Sequence, residues 1–320
     1  MEEDFKKAWD SYFQPRRPAL TDAQILAYEK FALSNRDRAE EFIKAIQTDL
    51  DYEFKDKRVL DIESAYGGFV ICAAHLGAKA YGIEILGYLH ELALANAMDE
   101  KGYIKLINKD VLDKNVLIDT ENEHFDLIIV NDVFEHIYDS IALFQRIRYF
   151  SHNKTIIYFA IPNGESWQGI ENEGHKFQFG LSLLEPGVWP KELGAFNIYY
   201  RPIEYFQLFF QSVGYPHLYI KVDKNALVSC KEQVISKFIE LEHKLKDSPF
   251  TTGFQNDHAR HRFKLLKQRL EEILEQQDLV KLNIVYNHYF WVGYATSEII
   301  PNLETKEDLV RVSFNSLHKR

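Results

Sequence analysis

Short apolar runs and amphipathic stretches alternate through the middle of the chain. Runs at 58–62, 80–85, 103–108, 125–131 and 154–161 have strand length and are rich in Val, Ile, Leu and aromatic residues. Between them, 67–76, 88–99 and 139–150 repeat apolar residues at helical spacing, with a helical turn near 111–115. After an interruption at 163–200 come a helix at 202–212 and a strand near 216–222. This alternation predicts an α/β fold: a mostly parallel sheet with helices on both faces and the strand C-terminal ends along one edge.

The flanks read differently. Residues 1–56 form a helical cap, with capping-box spacing at Thr21 and Gln24, and with Asn35 as the expected cap of a helix carrying Ala39, Phe42, Ile43, Ile46 and Leu50. The core then runs from 57 to 230. Its interruption at 163–200 carries Trp167, Phe177, Phe179, Trp189, Phe196, Tyr199 and Tyr200, and a loop this long and aromatic reads as a functional lid. A helical hairpin at 231–282, with Val234, Phe238, Leu241 and Leu245 followed by Phe263, Leu266, Leu270 and Ile273, is inserted before a final strand in 283–300. Residues 301–320 read as a polar tail.

A net charge of −10 and a pI near 5.7 disfavour a nucleic-acid partner, despite the basic run Arg260, His261, Arg262, Lys264, Lys267, Arg269. That run reads first as a solvated face, and the apolar stripe beside it as packing on the core or as a homodimer contact. The only cysteines, Cys72 and Cys230, give neither a disulfide framework nor a zinc motif, which points to reduced thiols in a cytoplasmic protein. No stretch approaches the roughly 18 apolar residues of a membrane span, and the N-terminus has no long uncharged core.

The chemistry centres on Arg58 to Ile85, RVLDIESAYGGFVICAAHLGAKAYGIEI, a strand, tight turn, helix and strand with an acid near the end of each strand. It lacks G-x-G-x-x-G and a Walker lysine, and Asp61 and Glu63 would repel a pyrophosphate. S-adenosylmethionine, which carries a sulfonium, an ammonium and a free ribose diol, is the nucleoside that these charges suit. Glu84 stands where an acid accepts from ribose hydroxyls, Asp110 and Val111 stand where adenine is met, and Asn131 and Asp132 follow the fourth strand to the same edge.

In order and spacing, VLDIESAYGG at 59–68, YGIEI at 81–85, NKDVLD at 108–113, FDLIIVNDVFEHIYD at 125–139, IPN at 161–163 and YYRPIEYFQLFFQSVGY at 199–215 resemble the class I SAM-dependent methyltransferases, in particular the branch with ubiquinone-pathway and sugar O-methyltransferases. The resemblance covers roughly 57–222 and the last strand. It implies a seven-stranded Rossmann-like sheet with a late antiparallel hairpin, SAM bound by Asp61, Glu63, Ser64, Ala65, Gly67, Glu84, Asp110, Val111, Asn131 and Asp132, and methyl transfer to a small-molecule or glycan-precursor acceptor at oxygen. The chain departs from the family's D-x-G-x-G-x-G, since Glu63 and Ala65 replace two glycines. Glu63 either meets the methionine ammonium or fills the pocket; the second outcome would make the chain a degenerate fold serving as an interaction platform.

His136, beside Glu135 and past the fourth strand, and His175, in the lid, are the candidate catalytic residues, because imidazole titrates in the range where an acceptor proton is moved. Glu171, Glu173, His175 and Asp132 match no recognised ligand spacing, and no metal is expected.

Overall fold

The computed structural model describes residues 2–19, 22–121, 123–191, 198–222 and 224–312. The chain divides into two units, each with its own core. One contains the residues up to Asn131 with Ala142–Tyr158 and Thr296–Leu303; the other contains Asp132–Ile141, Phe159–Ala295 and the residues from Glu304 on.

The first unit begins with α1 (Glu2–Phe13), α2 (Asp22–Leu33) and α3 (Asn35–Leu50). It continues through β1 (Arg58–Ile62), α4 (Gly68–His75), β2 (Lys79–Glu84), α5 (Gly87–Ala97), β3 (Tyr103–Asn108), α6 (Val116–Asp119) and β4 (Phe125–Asn131), then most of α7 (Ser140–Phe150) and the first part of β5 (Ser151–Pro162). The strand order is β3-β2-β1-β4-β5. β1 pairs in parallel with β2 and β4, and β2 with β3. Val59, Leu60 and Ile62 are buried, as a central parallel strand covered on both faces requires. The register sets Ile62 beside Ile83 and Val130, and Glu84 beside Asn108, so the segments after these strands emerge at one edge.

Two N-terminal expectations need comment. Thr21, the expected cap of α2, lies outside the described residues. Asn35 is not the cap of α3, which starts after Ser34; its side chain instead donates to the Ala32 carbonyl at 2.6 Å and accepts from Asn96 at 3.0 Å. Asn35 is buried, so its amide serves tertiary contacts rather than the helix end.

The second unit contains α8 (Trp167–Glu171), α9 (Ile203–Ser212), β6 (His217–Lys221), α10 (Lys224–Lys246), α11 (Gly253–Glu275), α12 (Leu279–Leu282), a π turn (Asn283–Asn287) and β7 (Phe290–Thr296). Then follow α13 (Pro301–Thr305), which begins in the first unit, and β8 (Leu309–Val312). Strand order here is β7-β6-β8, with β6 and β8 antiparallel and Leu218 opposite Val312. The fold is α/β and Rossmann-like with a mostly parallel sheet, and the described residues form eight strands where seven were expected. The extra strand, β8, lies in the segment read as a polar tail: Leu309 and Val312 are buried, but charged neighbours hide so short a run.

The start of the expected final strand is helical. Leu282, Ile284, Val285 and Tyr286 are all buried, and a short run buried on every side carries no strand period. The carbonyls that the π turn leaves open are taken by side chains. Nδ2 of Asn163 donates to Val285 and His288, each at 2.8 Å, and the Trp291 indole donates to Ile284 at 2.7 Å. α10 and α11 form a helical hairpin, closed by a Thr252–Gln255 capping box and by Phe238 stacked on Phe263 at 5.4 Å.

Candidate functional site

In the first unit the loop after β1 keeps a glycine-loop backbone without the glycines. Glu63 and Ala65 have φ of 58° and 44°, and Gly67 has φ of 76° as it opens α4. Side chains rarely take these left-handed values, so the surroundings must impose them. They do so through hydrogen bonds. The Ser64 N–H donates to the Ile83 carbonyl at 2.9 Å, the Ala65 N–H to Oε2 of Glu84 at 2.9 Å, and the Gly67 N–H back to the Ser64 carbonyl at 2.7 Å. Gly68 lies against α3, where a Cβ would come within 2.7 Å of the Asn35 carbonyl oxygen.

Four acids meet at this loop. Asp61 and Glu84 are buried, Glu63 is half-buried and Asp110 is exposed. Burial, then Glu84 and Glu63, push the Asp61 carboxyl well above the usual range. Burial, then Glu84 and Asp110, raise Glu63 to about 8. Glu84 is raised by burial, offset in part by the amides of Leu86, Ala65 and Ile85. Among the described residues no Lys, Arg or His pairs with Asp61, Glu63 or Glu84. The Ser64 hydroxyl is buried without a partner, Val111 is fully buried, and Asp110 caps its own turn through the Leu112 N–H at 2.8 Å. An acid cluster short of cations and an unused hydroxyl fit a cationic nucleoside.

The N-terminal helices close around this loop. Asn96 on α5 donates to the Tyr66 carbonyl at 2.7 Å, and Arg36 reaches Asn96 and Glu100. Tyr66 packs with the cluster of Phe5, Trp9, Ala32 and Leu92, and Tyr12 stacks on Tyr88 at 4.5 Å. Asn131, half-buried, ends β4.

The second unit holds Asp132, with φ of 55° and its N–H on the Ala160 carbonyl, and the candidate histidines. Glu173 organises them. Its Oε1 lies 2.8 Å from Nδ1 of His175 and accepts the Tyr200 hydroxyl, while Oε2 accepts the N–H groups of His175 and Lys176 at 3.0 and 2.7 Å. Burial alone would raise the Glu173 carboxyl; the bonds from His175, Tyr200 and Lys176 outweigh it and hold it low. Nε2 of His136 and of His175 lie 3.6 and 3.9 Å from Oε1 of Glu135. The two rings meet edge to face, 5.0 Å apart at 87°. Burial, then His175, lower His136 to about 4, so it is neutral at pH 7. Burial, then Asp132, push Glu135 well above the carboxylate range. Tyr200 also lines a cavity of about 560 Å³ with Tyr138, Glu185, Tyr199 and Arg201.

A family model for the methyltransferase domain matches residues 34–208, more than half of the chain. The chain belongs to the methyltransferase domain family. S-adenosylmethionine is the cofactor of this family, and SAM-dependent methyl transfer is its reaction. Curated protein sequences show no match. Among solved structures, an S-adenosylmethionine-dependent methyltransferase from Mesorhizobium loti is 14% identical, with TM-score 0.48, over 79% of this chain and 95% of that one. Magnesium protoporphyrin IX methyltransferase from Synechocystis, with bound SAH, is 15% identical, with TM-score 0.44, over 65% and 85%. Phosphoethanolamine N-methyltransferase 2 from Haemonchus contortus is 17% identical, with TM-score 0.49; the match takes in 92% of this chain but 61% of that one.

The structure therefore gathers Asp61, Glu63, Ser64, Ala65, Gly67, Glu84 and Asp110 at one loop, and His136 with His175 at another cluster. Sequence reasoning named Glu135 and Glu173 beside the histidines without giving either a role of its own, and it missed Tyr200 as a member of that cluster. The signal present was an acid beside each histidine. Glu171, weighed with Glu173 and His175 in the sequence, turns away to Lys244 at 2.7 Å. Of the lid aromatics, Trp189 is buried and Trp167 donates to Asn287 at 2.9 Å, whereas Phe177 is exposed; Phe196 lies outside the described residues. The basic run on α11 is largely spent on ion pairs: Arg269 with Glu165 and Glu204, Lys267 with Glu242, and Arg260 with Asp257. No helix of the described residues is long and apolar enough to cross a membrane.

Proposed function

We propose that the protein methylates a hydroxyl of a small-molecule or glycan-precursor acceptor. The observation that carries this reading is Tyr200, which is at once a wall of the 560 Å³ cavity and a hydrogen-bond donor to the carboxylate that holds His175. A cavity of that size takes a ligand of one or two rings, and Tyr138, Tyr199 and Tyr200 offer faces to a sugar or a planar ring.

The donor, when bound, supplies an electrophilic methyl group on a sulfonium. In this reading Glu84 accepts from its ribose diol, Asp110 and Val111 meet its adenine, and Glu63 faces its ammonium. Asp61, Ser64, Ala65, Gly67, Asn131 and Asp132 shape the remainder. His136 and His175 act at the acceptor oxygen, where the proton must leave as the new bond forms. An amine acceptor that is already neutral has less need of such a cluster.

Turnover of SAM to S-adenosylhomocysteine with a panel of sugar and phenolic alcohols, set against their amine counterparts, tests the reading. The alcohols should turn over and the amines should not. If calorimetry shows no binding of SAM or S-adenosylhomocysteine at millimolar ligand, the chain is instead an interaction platform. A reducing, cytoplasmic setting belongs to the same proposal, supported by two free, buried cysteines. A homodimer through the 231–282 hairpin would have to use Ile239, Phe254 and Leu265, which are exposed, because the apolar stripe named from the sequence is buried within the chain.

A further inference from the structure

We infer that Glu135, His136 and His175 form a binding site for one divalent transition-metal ion of the zinc class. The strongest sign is Glu135. Its carboxyl is 1% exposed, and neither oxygen has a hydrogen-bond partner among the described residues. Burying a carboxylate with no donor is costly, and a bound cation is one of the few arrangements that offsets it. Two imidazole nitrogens converge on the same oxygen, at 3.6 and 3.9 Å, too long for hydrogen bonds. One ligand atom from each of the three residues lies within 4.8 Å of the other two.

The two separations from Oε1 of Glu135 are close to what an ion requires. With metal–ligand bonds of about 2.0–2.2 Å, tetrahedral ligand atoms stand about 3.3–3.6 Å apart. The His136 pair already meets this, and His175 needs to approach by only a few tenths of an ångström. His175 is also oriented for the task. Its Nδ1 is held by Glu173, which leaves Nε2 as the nitrogen toward Glu135; ligating histidines are commonly fixed in this way by a carboxylate on the other nitrogen. Glu173 is itself fully buried and tied to Tyr200 and two backbone amides. His136, with 38% of its side chain exposed, leaves a route from solvent.

Two imidazoles and one carboxylate select zinc, manganese, iron or cobalt over magnesium or calcium, which prefer oxygen alone. Three protein ligands leave a position open, as catalytic sites do. Resting on the hydroxyl-acceptor reading, that position is where an acceptor oxygen would bind and lose its proton more easily; metal binding itself does not depend on that reading.

The test uses the full chain freed of tags and stripped with chelator. Titration calorimetry with Zn²⁺, and separately with Mn²⁺ and Mg²⁺, should show one site per chain for zinc or manganese and none for magnesium. Cobalt(II) should give a visible absorption band that His175→Ala removes. Glu135→Gln, which keeps the shape of the side chain, should weaken zinc binding at least 100-fold. Glu173→Gln should weaken it about 10–100-fold, and His261→Ala on α11 should leave it unchanged. Absence of a one-per-chain site for both zinc and manganese, a magnesium site of equal affinity, or equal metal affinity in Glu135→Gln and wild type, would overturn the assignment. These readouts involve neither donor nor acceptor, so they stand apart from failure of the methyl-transfer reading.

Discussion

Oε2 of Glu84 accepts the Ala65 N–H at 2.9 Å, and its Oε1 accepts the Leu86 N–H at 2.7 Å. A single acid at the end of β2 thus clamps the loop that follows β1. In Glu84→Gln one of these amides faces another donor, which should cost about 1–3 kcal/mol in urea unfolding. SAM affinity by calorimetry should fall at least tenfold.

Glu63 gives a pH dependence with a definite sign. Its carboxyl is raised from 4.5 to about 8, so the folded state holds a proton that the unfolded state has released. Stability is greatest below the unfolded value and declines as pH rises from about 4.5 through about 8. Asp61, raised by burial and the same neighbours, acts in the same direction. Glu63→Gly should flatten the decline and raise the melting temperature at pH 8, since it also relieves a positive φ. SAM, a cation, should bind wild type more tightly as pH rises toward 8, and the variant should lose that trend.

Gly68→Ala should destabilise the first unit by about 1–3 kcal/mol, because the added carbon meets a backbone oxygen of Asn35 rather than a movable side chain. The midpoint of chemical unfolding reads this directly, and donor binding should weaken with it.

Arg269 sits between Glu165 and Glu204, each mostly buried. Arg269→Met leaves two acids facing each other and should cost roughly 3 kcal/mol, with little response to salt. Because the basic run is paired in this way, the wild-type chain should not retard RNA or DNA in a low-salt gel, and a salt-sensitive shift would reverse that view.

Tyr200→Phe keeps the ring in the cavity but removes the donor to Glu173. Turnover should drop about 10–100-fold, as loss of an outer-shell partner does, while the donor's Kd is unchanged. Equal losses in both would place Tyr200 in donor binding instead.

Much of this was legible in the chain. β1 to β4 and their helices announced themselves as short runs dominated by apolar residues alternating with stretches of helical spacing. The loop acids were legible through charge alone. Segments whose structure comes from distant contacts were not. The π turn at 283–287 depends on Asn163, far away in sequence, to take its carbonyls. β8 is too short to show a period and is defined by β6. The histidine cluster was half visible: His136 and His175 stood out by type, whereas Glu135 matters through a burial that no spacing reveals.

The loop at 63–67 has a further meaning for how such proteins diversify. Its path is dictated by Glu84, Ile83 and Asn96 rather than by the flexibility of its own residues. A position relieved of setting the backbone is open to new chemistry, and here one such position carries a carboxylate. Substitutions at 63 can therefore change the charge that the loop presents without redrawing the loop, as a lock keeps its case while one pin is recut.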